Sequence, residues 1–215
     1  MGLGMEGAGG HRMRKKHLFK LAELGCTYAV GVDEAGRGPL AGPVVAAAVY
    51  LPLDVEIAGL RDSKTMTAKA RERCFAEIMA AGFVGIGSAS AAEIDRINVL
   101  QASLLAMRRA VEELPLVPDI CLIDGNQEIP QLPYSQLALV KGDARCALIA
   151  AASVIAKVTR DRSMLMWHEK YPAYGFDRHK GYPTKDHKAA LRQWGPCPIH
   201  RRSFAGVIQR GPLQL

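Results

Sequence analysis

Four acidic residues in three separate segments of the chain could together hold divalent cations. Asp33 and Glu34 follow one short apolar segment, Asp124 follows another, and Asp161 lies in a stretch with helical periodicity. Converging carboxylates repel one another, and a bound cation with hard oxygen ligands relieves that repulsion. Two such ions about 4 Å apart can activate water and stabilise the leaving oxygen of an in-line phosphoryl displacement. The four acids therefore predict phosphodiester hydrolysis or nucleotidyl transfer assisted by Mg²⁺ or Mn²⁺.

Asp161 has the least ordinary position of the four. On a helix it would share a face with Val154, Val158 and Leu165, and that face is expected to pack on a sheet. A carboxylate on such a face is costly unless it meets a cation or a hydrogen-bond donor. The residues around it leave one alternative open, which is a salt bridge to a nearby arginine.

The elements that must position these acids alternate between strands and helices. Apolar runs predict strands at residues 28–32, 44–51, 83–89, 120–123 and 137–140. Periodicity and capping signals predict helices at residues 67–81, 90–114, 144–169 and 185–194. Asp33, Glu34 and Asp124 then follow strand ends, where α/β domains build sites and where acids also serve as ordinary turn residues. The pattern predicts an α/β fold with a mainly helical C-terminal part.

Length and composition are typical of one globular domain. The chain has 215 residues, of which 49% are hydrophobic and 23% are charged. The longest apolar runs, residues 44–53 and 147–156, are too short to cross a bilayer. The five cysteines are widely separated and have neither zinc-ligand spacing nor a disulfide pattern. A cytoplasmic protein without a membrane anchor is expected.

The net charge of +7 is unevenly distributed along the chain. Basic residues dominate residues 1–20 and 141–215, whereas acidic residues dominate residues 21–140. This distribution favours a polyanionic partner bound through its phosphates, although a well-solvated surface is the alternative. Residues 1–20 are Gly-rich and then basic and are predicted to be a flexible arm, within which a short helix could begin at His17.

Seven motifs, in this order along the chain, resemble those of bacterial ribonuclease HII, a type 2 ribonuclease H family. They lie between about Tyr28 and Val207. The motifs occupy residues 32–44, 62–64, 123–126, 141–143, 150–162, 179–184 and 200–204. So many matches in one order make a chance resemblance untenable.

The resemblance implies an RNase H-like fold, with a central mixed sheet flanked by helices, in a single catalytic domain over residues 21–215. It implies hydrolysis of the RNA strand of RNA–DNA hybrids and incision 5′ of ribonucleotides embedded in duplex DNA. The products would carry 3′-hydroxyl and 5′-phosphate ends, and the role would be ribonucleotide removal in DNA replication and repair. The family's metal-binding carboxylates would be Asp33, Glu34, Asp124 and Asp161, holding two Mn²⁺ or Mg²⁺ ions in a monomer.

The resemblance also implies which residues contact the substrate. Gly36, Arg37 and Gly38 match a loop that contacts the ribonucleotide 2′-hydroxyl, largely through its backbone. Tyr182 matches a tyrosine that stacks at the RNA-to-DNA junction, and Lys64 matches a lysine that contacts phosphate. Further contacts to the nucleic-acid backbone are expected from His179, Lys180, Arg201 and Arg202.

Three other functions compete with this interpretation. Ribonuclease HIII carries an additional N-terminal substrate-binding domain and lacks the Gly-Arg-Gly loop, whereas this sequence has the loop at residues 36–38 and about 27 residues before its first motif. A non-catalytic hybrid-binding protein would not need four intact acids. A junction resolvase on the same fold would not need a loop for the 2′-hydroxyl.

Overall fold

The computed structural model, which describes residues 25–207, contains one five-stranded mixed sheet. Its strands are β1 (Ala29–Ala35), β2 (Val44–Tyr50), β3 (Phe83–Ala89), β4 (Ile120–Asp124) and β5 (Ser135–Leu139). The strand order is β3-β2-β1-β4-β5. The β1–β2 and β2–β3 pairs are antiparallel, whereas β1–β4 and β4–β5 are parallel. The carboxyl ends of β1, β4 and β5 therefore meet at one edge of the sheet.

The helices form layers on both faces of this sheet. They are α1 (Ala68–Ala81), α2 (Ala91–Glu112), α3 (Gly142–Arg145), α4 (Ala147–Lys170), α5 (Phe176–His179) and α6 (Lys185–Trp194). Short 3₁₀ turns lie at Ser63–Thr65 and Pro172–Tyr174. α1 and α4 bury their apolar residues on one face and α2 on the other. This arrangement confirms the α/β prediction with a mixed sheet and a helical C-terminal part.

Successive residues of β1 face the two hydrophobic cores in turn, one on each side of the sheet. Val30 and Val32 pack toward α2, whereas Gly31 faces α4. A Cβ at Gly31 would lie 2.1 Å from the carbonyl carbon of Leu148, so only glycine lets α4 approach the strand this closely. Asp33, two residues further along β1, shares the α4 face with Gly31.

Several predicted elements are confirmed with their caps. α1, β3 and α6 have the predicted bounds to within one residue, and the Thr67 hydroxyl accepts from the Ala70 N–H at the start of α1. Ser90 begins α2 with a capping box whose other member is Glu93. Inside α2, Asn98 has φ 66° and kinks the helix, which the periodicity did not predict.

Two predicted boundaries are wrong. β1 does not end before Asp33, because Asp33 and Glu34 continue the ladder opposite Ala47 and Ala46 of β2. The predicted helix at 144–169 is two helices, since the extended backbone of Cys146 separates α3 from α4. As a result, residues 142–145 turn back toward the ends of β4 and β5.

The described residues bear on the prediction about the membrane but not on the prediction about the N-terminal arm. Within residues 25–207, none of the helices combines the length and apolarity that a bilayer crossing needs. The predicted arm at residues 1–20 and its short helix from His17 lie outside the described residues.

A buried histidine network supports the segment that carries Tyr182. The Cys197 N–H donates to His200 Nδ1 at 2.9 Å, which leaves the His200 proton on Nε2. That proton faces His187 Nε2 at 3.0 Å, and His187 Nδ1–H in turn donates to the Tyr182 carbonyl at 2.9 Å. His200 Nδ1 and His187 Nε2 must each be unprotonated to accept their bonds, so the network is complete only when both rings are neutral.

Acid should therefore weaken the fold through this network. Burial, followed by the neighbouring His187, lowers the pKa of His200 to about 4 from 6.5. A pKa lowered by folding gives stability that is complete above about pH 6.5 and is lost as the pH falls toward 4. We expect the free energy of unfolding, measured in urea, to fall over this window more steeply in the wild type than in His200→Asn.

The matched control for this experiment is His168→Asn. His168 lies on α4 next to Asp177, outside the network, and this variant should keep the wild-type slope. Equal slopes for His200→Asn and the wild type would contradict the neutral network.

Candidate metal centre and nucleic-acid interface

Three carboxylates converge at the sheet edge where β1, β4 and β5 end. Asp33, Asp124 and Asp143 each offer an oxygen, and these oxygens all lie within 4.8 Å of one another. Asp33 lies in β1, Asp124 is the last residue of β4, and Asp143 lies in α3, four residues after β5 ends. Asp33 and Asp124 are on adjacent parallel strands and face the same layer, because Val32 pairs with Ile123. The sheet itself thus brings two of the acids together.

Backbone and hydroxyl donors hold these carboxylates in place. Asp124 Oδ1 accepts from the Gly142 N–H at 2.7 Å, which ties β4 to the turn that carries Asp143. Asp33 Oδ1 accepts from the Glu34 N–H at 2.7 Å. The Ser153 hydroxyl of α4 bonds to Asp33 and lies 2.9 Å from the Ser63 hydroxyl.

The electrostatics of the cluster favour a bound cation. Burial raises the pKa of Asp33 well above 3.8, and the charges of Glu34 and Asp124 raise it further. Burial likewise raises the pKa of Asp143, followed by the charge of Asp124. Only oxygen ligands are present, which suits Mg²⁺ or Mn²⁺ and not a thiolate-binding metal. The residues present therefore fit a hard divalent cation.

Glu34 flanks this cluster from the other face of β1. Adjacent strand residues point to opposite faces, so Glu34 does not share the face of Asp33. Its pKa is raised, first by burial, while the charge of Arg37 lowers it and that of Asp124 raises it. Its Oε1 lies 3.4 Å from Arg37 Nη1. Glu34 is thus electrostatically linked to Asp124 without belonging to the three-carboxylate cluster.

Asp161 does not join the cluster, contrary to the predicted convergence of four acids. Its Oδ1 lies 2.7 Å from Lys157 Nζ, one turn earlier on α4, so the open alternative of a salt bridge is what forms, with a lysine in place of an arginine. Ser153, which touches Asp33, is eight residues before Asp161, and eight helical residues rise about 12 Å. The shared face also leaves the sheet here, because Val158 is buried but Leu165 is exposed.

Asp143 was missed, although the sequence held a signal for it. The strand-end rule that selected Asp33 and Asp124 applies equally to the residues after the strand predicted at 137–140. Lys141-Gly142-Asp143 follows that strand directly. The helix predicted at residues 144–169 begins directly after this turn and left Asp143 outside the predicted site.

Lys64 lies beside the acidic cluster, although its side chain is largely exposed. Its Nζ is 3.8 Å from Asp143 Oδ2. Partial burial opposes its charge, but attraction to Asp33 and Asp143 outweighs this and raises the pKa of Lys64. Because the Lys64 amino group is next to the carboxylates and is also open to solvent, it can contact a phosphate that binds beside the acidic cluster.

The predicted ribonucleotide loop and the predicted stacking tyrosine lie together. A Cβ at Gly38 would be 3.7 Å from Tyr182 Cε1. Tyr182 is 40% exposed, so one part of its ring remains open to a ligand. The amino group of Lys157 and the guanidinium of Arg160 each lie 5.8 Å from the ring centre.

Two of the predicted nucleic-acid contacts use their side-chain donors and acceptors on the protein's own backbone. Arg201 is completely buried, and its guanidinium donates to backbone carbonyls of the protein. His179 is half-buried, with its ring bonded to the Tyr174 carbonyl and to the Gly181 N–H. For Arg201 the prediction of a direct phosphate contact is wrong, because this arginine folds inward instead of lying on a solvated face.

Comparisons with known proteins agree with this geometry. A protein-family model described as Ribonuclease HII matches residues 30–207. The chain is 52% identical over 211 residues to ribonuclease HII of Granulibacter bethesdensis, covering 95% of each chain. It is 54% identical over 187 residues to ribonuclease HII of Maricaulis maris, covering 86% of each.

A solved structure has the same fold. The crystal structure of ribonuclease H2 from Pyrococcus horikoshii superposes with a TM-score of 0.69 at 28% sequence identity. The match covers 84% of this chain and 95% of that one. The sequence matches span the strands and turns that carry the three converging acids. The chain therefore belongs to the ribonuclease HII family.

Proposed function

We propose that this chain is an endoribonuclease that hydrolyses the RNA strand of RNA–DNA hybrids and incises 5′ of ribonucleotides embedded in duplex DNA. The products are a 3′-hydroxyl and a 5′-phosphate, and the reaction serves ribonucleotide removal. One observation carries the proposal, which is the convergence of Asp33, Asp124 and Asp143 at the sheet edge, next to Glu34. Membership in the ribonuclease HII family supports the substrate class.

The proposed ligands of the divalent ions are Asp33, Asp124 and Asp143, and Glu34, which lies outside this cluster but close enough to Asp124 for that charge to raise its pKa, is proposed as a fourth. Two Mg²⁺ or Mn²⁺ ions, when bound, supply an activated water and stabilise charge on the leaving 3′-oxygen. Asp124 is preoriented by the Gly142 N–H and Asp33 by the Glu34 N–H and Ser153. Preorientation matters because carboxylates that must reorganise during the reaction lose part of their electrostatic effect. The chain thereby holds mutually repelling oxygens in position before a cation arrives.

Lys64 is proposed to hold the phosphate next to these carboxylates. Its exposed amino group lies 3.8 Å from Asp143, so it can neutralise a phosphate oxygen that approaches the acidic cluster. Without such a cation, the acids would repel the substrate backbone.

The loop of Gly36, Arg37 and Gly38 is proposed to recognise the 2′-hydroxyl. The N–H groups of Arg37 and Gly38 find no hydrogen-bond acceptor within residues 25–207, and both residues are exposed. A 2′-hydroxyl accepts hydrogen bonds and is the group that separates RNA from DNA. Tyr182, in contact distance of Gly38, provides the ring on which the sugar and base of the neighbouring nucleotide pack.

A duplex with a single ribonucleotide tests this proposal. With Mg²⁺ or Mn²⁺ present, we expect one nick on the 5′ side of the ribonucleotide and no cutting of the all-DNA duplex of the same sequence. Product ends are mapped by ligation and by phosphatase sensitivity. Cleavage of long hybrids without cleavage of this duplex would contradict the HII type, and cutting only of branched all-DNA substrates would indicate a resolvase.

The catalytic unit is proposed to be a monomer with one catalytic domain over residues 21–215. All the proposed ligands and the ribonucleotide loop come from one chain, so the site does not require a second copy. Activity per chain that is independent of protein concentration, with one species in sedimentation, is the expected result. Activity confined to an oligomeric fraction would contradict it.

A further inference from the structure

The Arg201 guanidinium donates hydrogen bonds to backbone carbonyls in the Gly36–Gly38 loop and just after it. Its side chain is completely buried. Nε donates to the Gly42 carbonyl at 3.0 Å, Nη1 to the Arg37 carbonyl at 2.9 Å, and Nη2 to the Gly36 carbonyl at 2.5 Å. Within residues 25–207, the ion pairs formed by other arginines have no counterpart at Arg201. Arg201 is therefore a buried cation whose partners are carbonyl oxygens.

Arg160 repeats this arrangement from the other side of the loop. It too is completely buried, with Nε 3.0 Å from the Pro43 carbonyl and Nη2 within 3.2 Å of the Ala41 and Lys180 carbonyls. A Cβ at Gly36 would lie 2.1 Å from Arg160 Nε, and Gly36 has φ +101°. Glycine is thus required at this position for the guanidinium to fit beneath the loop.

The Arg160 guanidinium and two backbone hydrogen bonds also join the segment that follows the loop to the segment before Tyr182. The Lys180 carbonyl bonds to Arg160, and the Leu40 N–H bonds to the Gly181 carbonyl at 2.8 Å. The Leu40 carbonyl in turn accepts from the backbone N–H of Arg201 at 2.9 Å. Three chain segments that are distant in sequence are held together by these bonds.

This arrangement is costly if its only result is packing. Burying a cation without a carboxylate is destabilising, and apolar residues of similar volume fill a core at lower cost in free energy. Burial, followed by the charge of Arg160, lowers the pKa of Arg201 to about 9. The planar fork of an arginine can hold several carbonyls in a fixed relation, which a lysine or an apolar side chain cannot.

We infer that Arg201 and Arg160 are positioning residues that fix the Gly36–Gly38 loop and Tyr182 relative to each other, so that the preference for a ribonucleotide depends on them. The inference rests on the proposed function of this loop. Arg201 occupies the carbonyls of Gly36 and Arg37, and the N–H groups of Arg37 and Gly38 are left for the 2′-hydroxyl. The metal ligands take no part in these bonds.

Arg201→Lys tests the inference with a binding ratio. The Kd for a single-ribonucleotide duplex and for the matching all-DNA duplex are measured without divalent metal. In the wild type the ribonucleotide duplex should bind more tightly, and in Arg201→Lys the ratio should fall to about one while the all-DNA Kd stays unchanged. kcat/KM on the ribonucleotide duplex should fall by about 100-fold, as expected when a reacting group is displaced by about 1 Å. The rise in Tm on adding Mg²⁺ should be unchanged.

Arg73→Lys is the matched control. Arg73 also donates to a backbone carbonyl, that of Ala58 at 2.7 Å, but lies away from the loop. It should keep the wild-type binding ratio and rate. Should Arg201→Lys not fold, the same ratio is measured for Arg160→Lys, because this variant removes the guanidinium that packs against Gly36 and bonds to the Lys180 carbonyl.

Two results would overturn the inference. One is a wild-type binding ratio in a folded Arg201→Lys protein. The other is an equal loss of binding to both duplexes together with loss of the Mg²⁺-induced rise in Tm, which would indicate a general structural role. Failure of the wild type itself to nick the ribonucleotide duplex would refute the proposed function and is distinguishable from both.

Discussion

Asp143→Asn should abolish cleavage of an RNA–DNA hybrid, whereas Asp161→Asn should leave most of it. Asp143 has an oxygen within 4.8 Å of those of Asp33 and Asp124, but Asp161 is paired with Lys157. Loss of even an outer partner of a metal ligand costs about 10–100-fold, so loss of a proposed ligand should exceed about 100-fold in kcat/KM. Losing an i,i+4 ion pair should cost about 0.3–0.5 kcal/mol in stability, and activity should stay within about tenfold.

Initial rates on one labelled hybrid at saturating Mg²⁺ measure this difference. Hybrid binding without metal is the control for folding, and it should persist in both variants, because Asp143→Asn removes a negative charge next to Lys64. The opposite ranking, with Asp161→Asn inactive and Asp143→Asn active, would mean that the Lys157–Asp161 pair opens in the complex and that Asp161 is the ligand.

Removal of divalent metal should eliminate cleavage and lower the stability of the fold together. Asp33, Glu34 and Asp143 have raised pKa values, each with burial as its largest cause, and a nearby acid raises each one further. A cation relieves this repulsion only in the folded state, and a metal at 100 times its Kd stabilises that state by about 2.7 kcal/mol. For a chain of this size, the Tm should rise by about 5–10 °C on adding Mg²⁺ or Mn²⁺.

Thermal unfolding with chelator and with each ion measures this stabilisation, and activity is measured in the same samples. Asp124→Asn should lose both the rise in Tm and the activity, while Asp161→Asn should keep the rise. Full cleavage in excess chelator, or an equal rise in Tm in Asp124→Asn, would contradict a metal centre at this sheet edge.

The secondary structure was largely predictable because local patterns determine it. Thr67 and Gly82 bound α1 as their capping and breaking roles predict, and Phe83 to Ala89 form β3. The error in β1 has a tertiary cause. Asp33 and Glu34 are turn-forming or polar residues, but pairing with β2 extends the strand through them.

The site was predictable as a class of chemistry and only partly as a set of residues. Asp33 and Asp124 were identified from strand ends, and parallel neighbouring strands bring them together. Asp161 was selected because its helical face was taken to remain on the sheet. α4 extends past the sheet, so this face has reached the solvent at the position of Leu165. Asp143 depends on the break at Cys146, which helical periodicity did not reveal.

By itself, the sequence determined the α/β class, the type of hydrolysis and the family, since these depend on residue types, their order and their local spacing. Only the tertiary structure decided which acids share a site. A helix rises about 1.5 Å per residue, so the distance of a helical acid from the other acids depends on where the helix crosses the sheet. It also decided that Arg160 and Arg201 lie inside, where carbonyl oxygens and not phosphates are their partners. The sequence shows which side chains are charged, but only the fold determines whether each one faces the interior or the solvent.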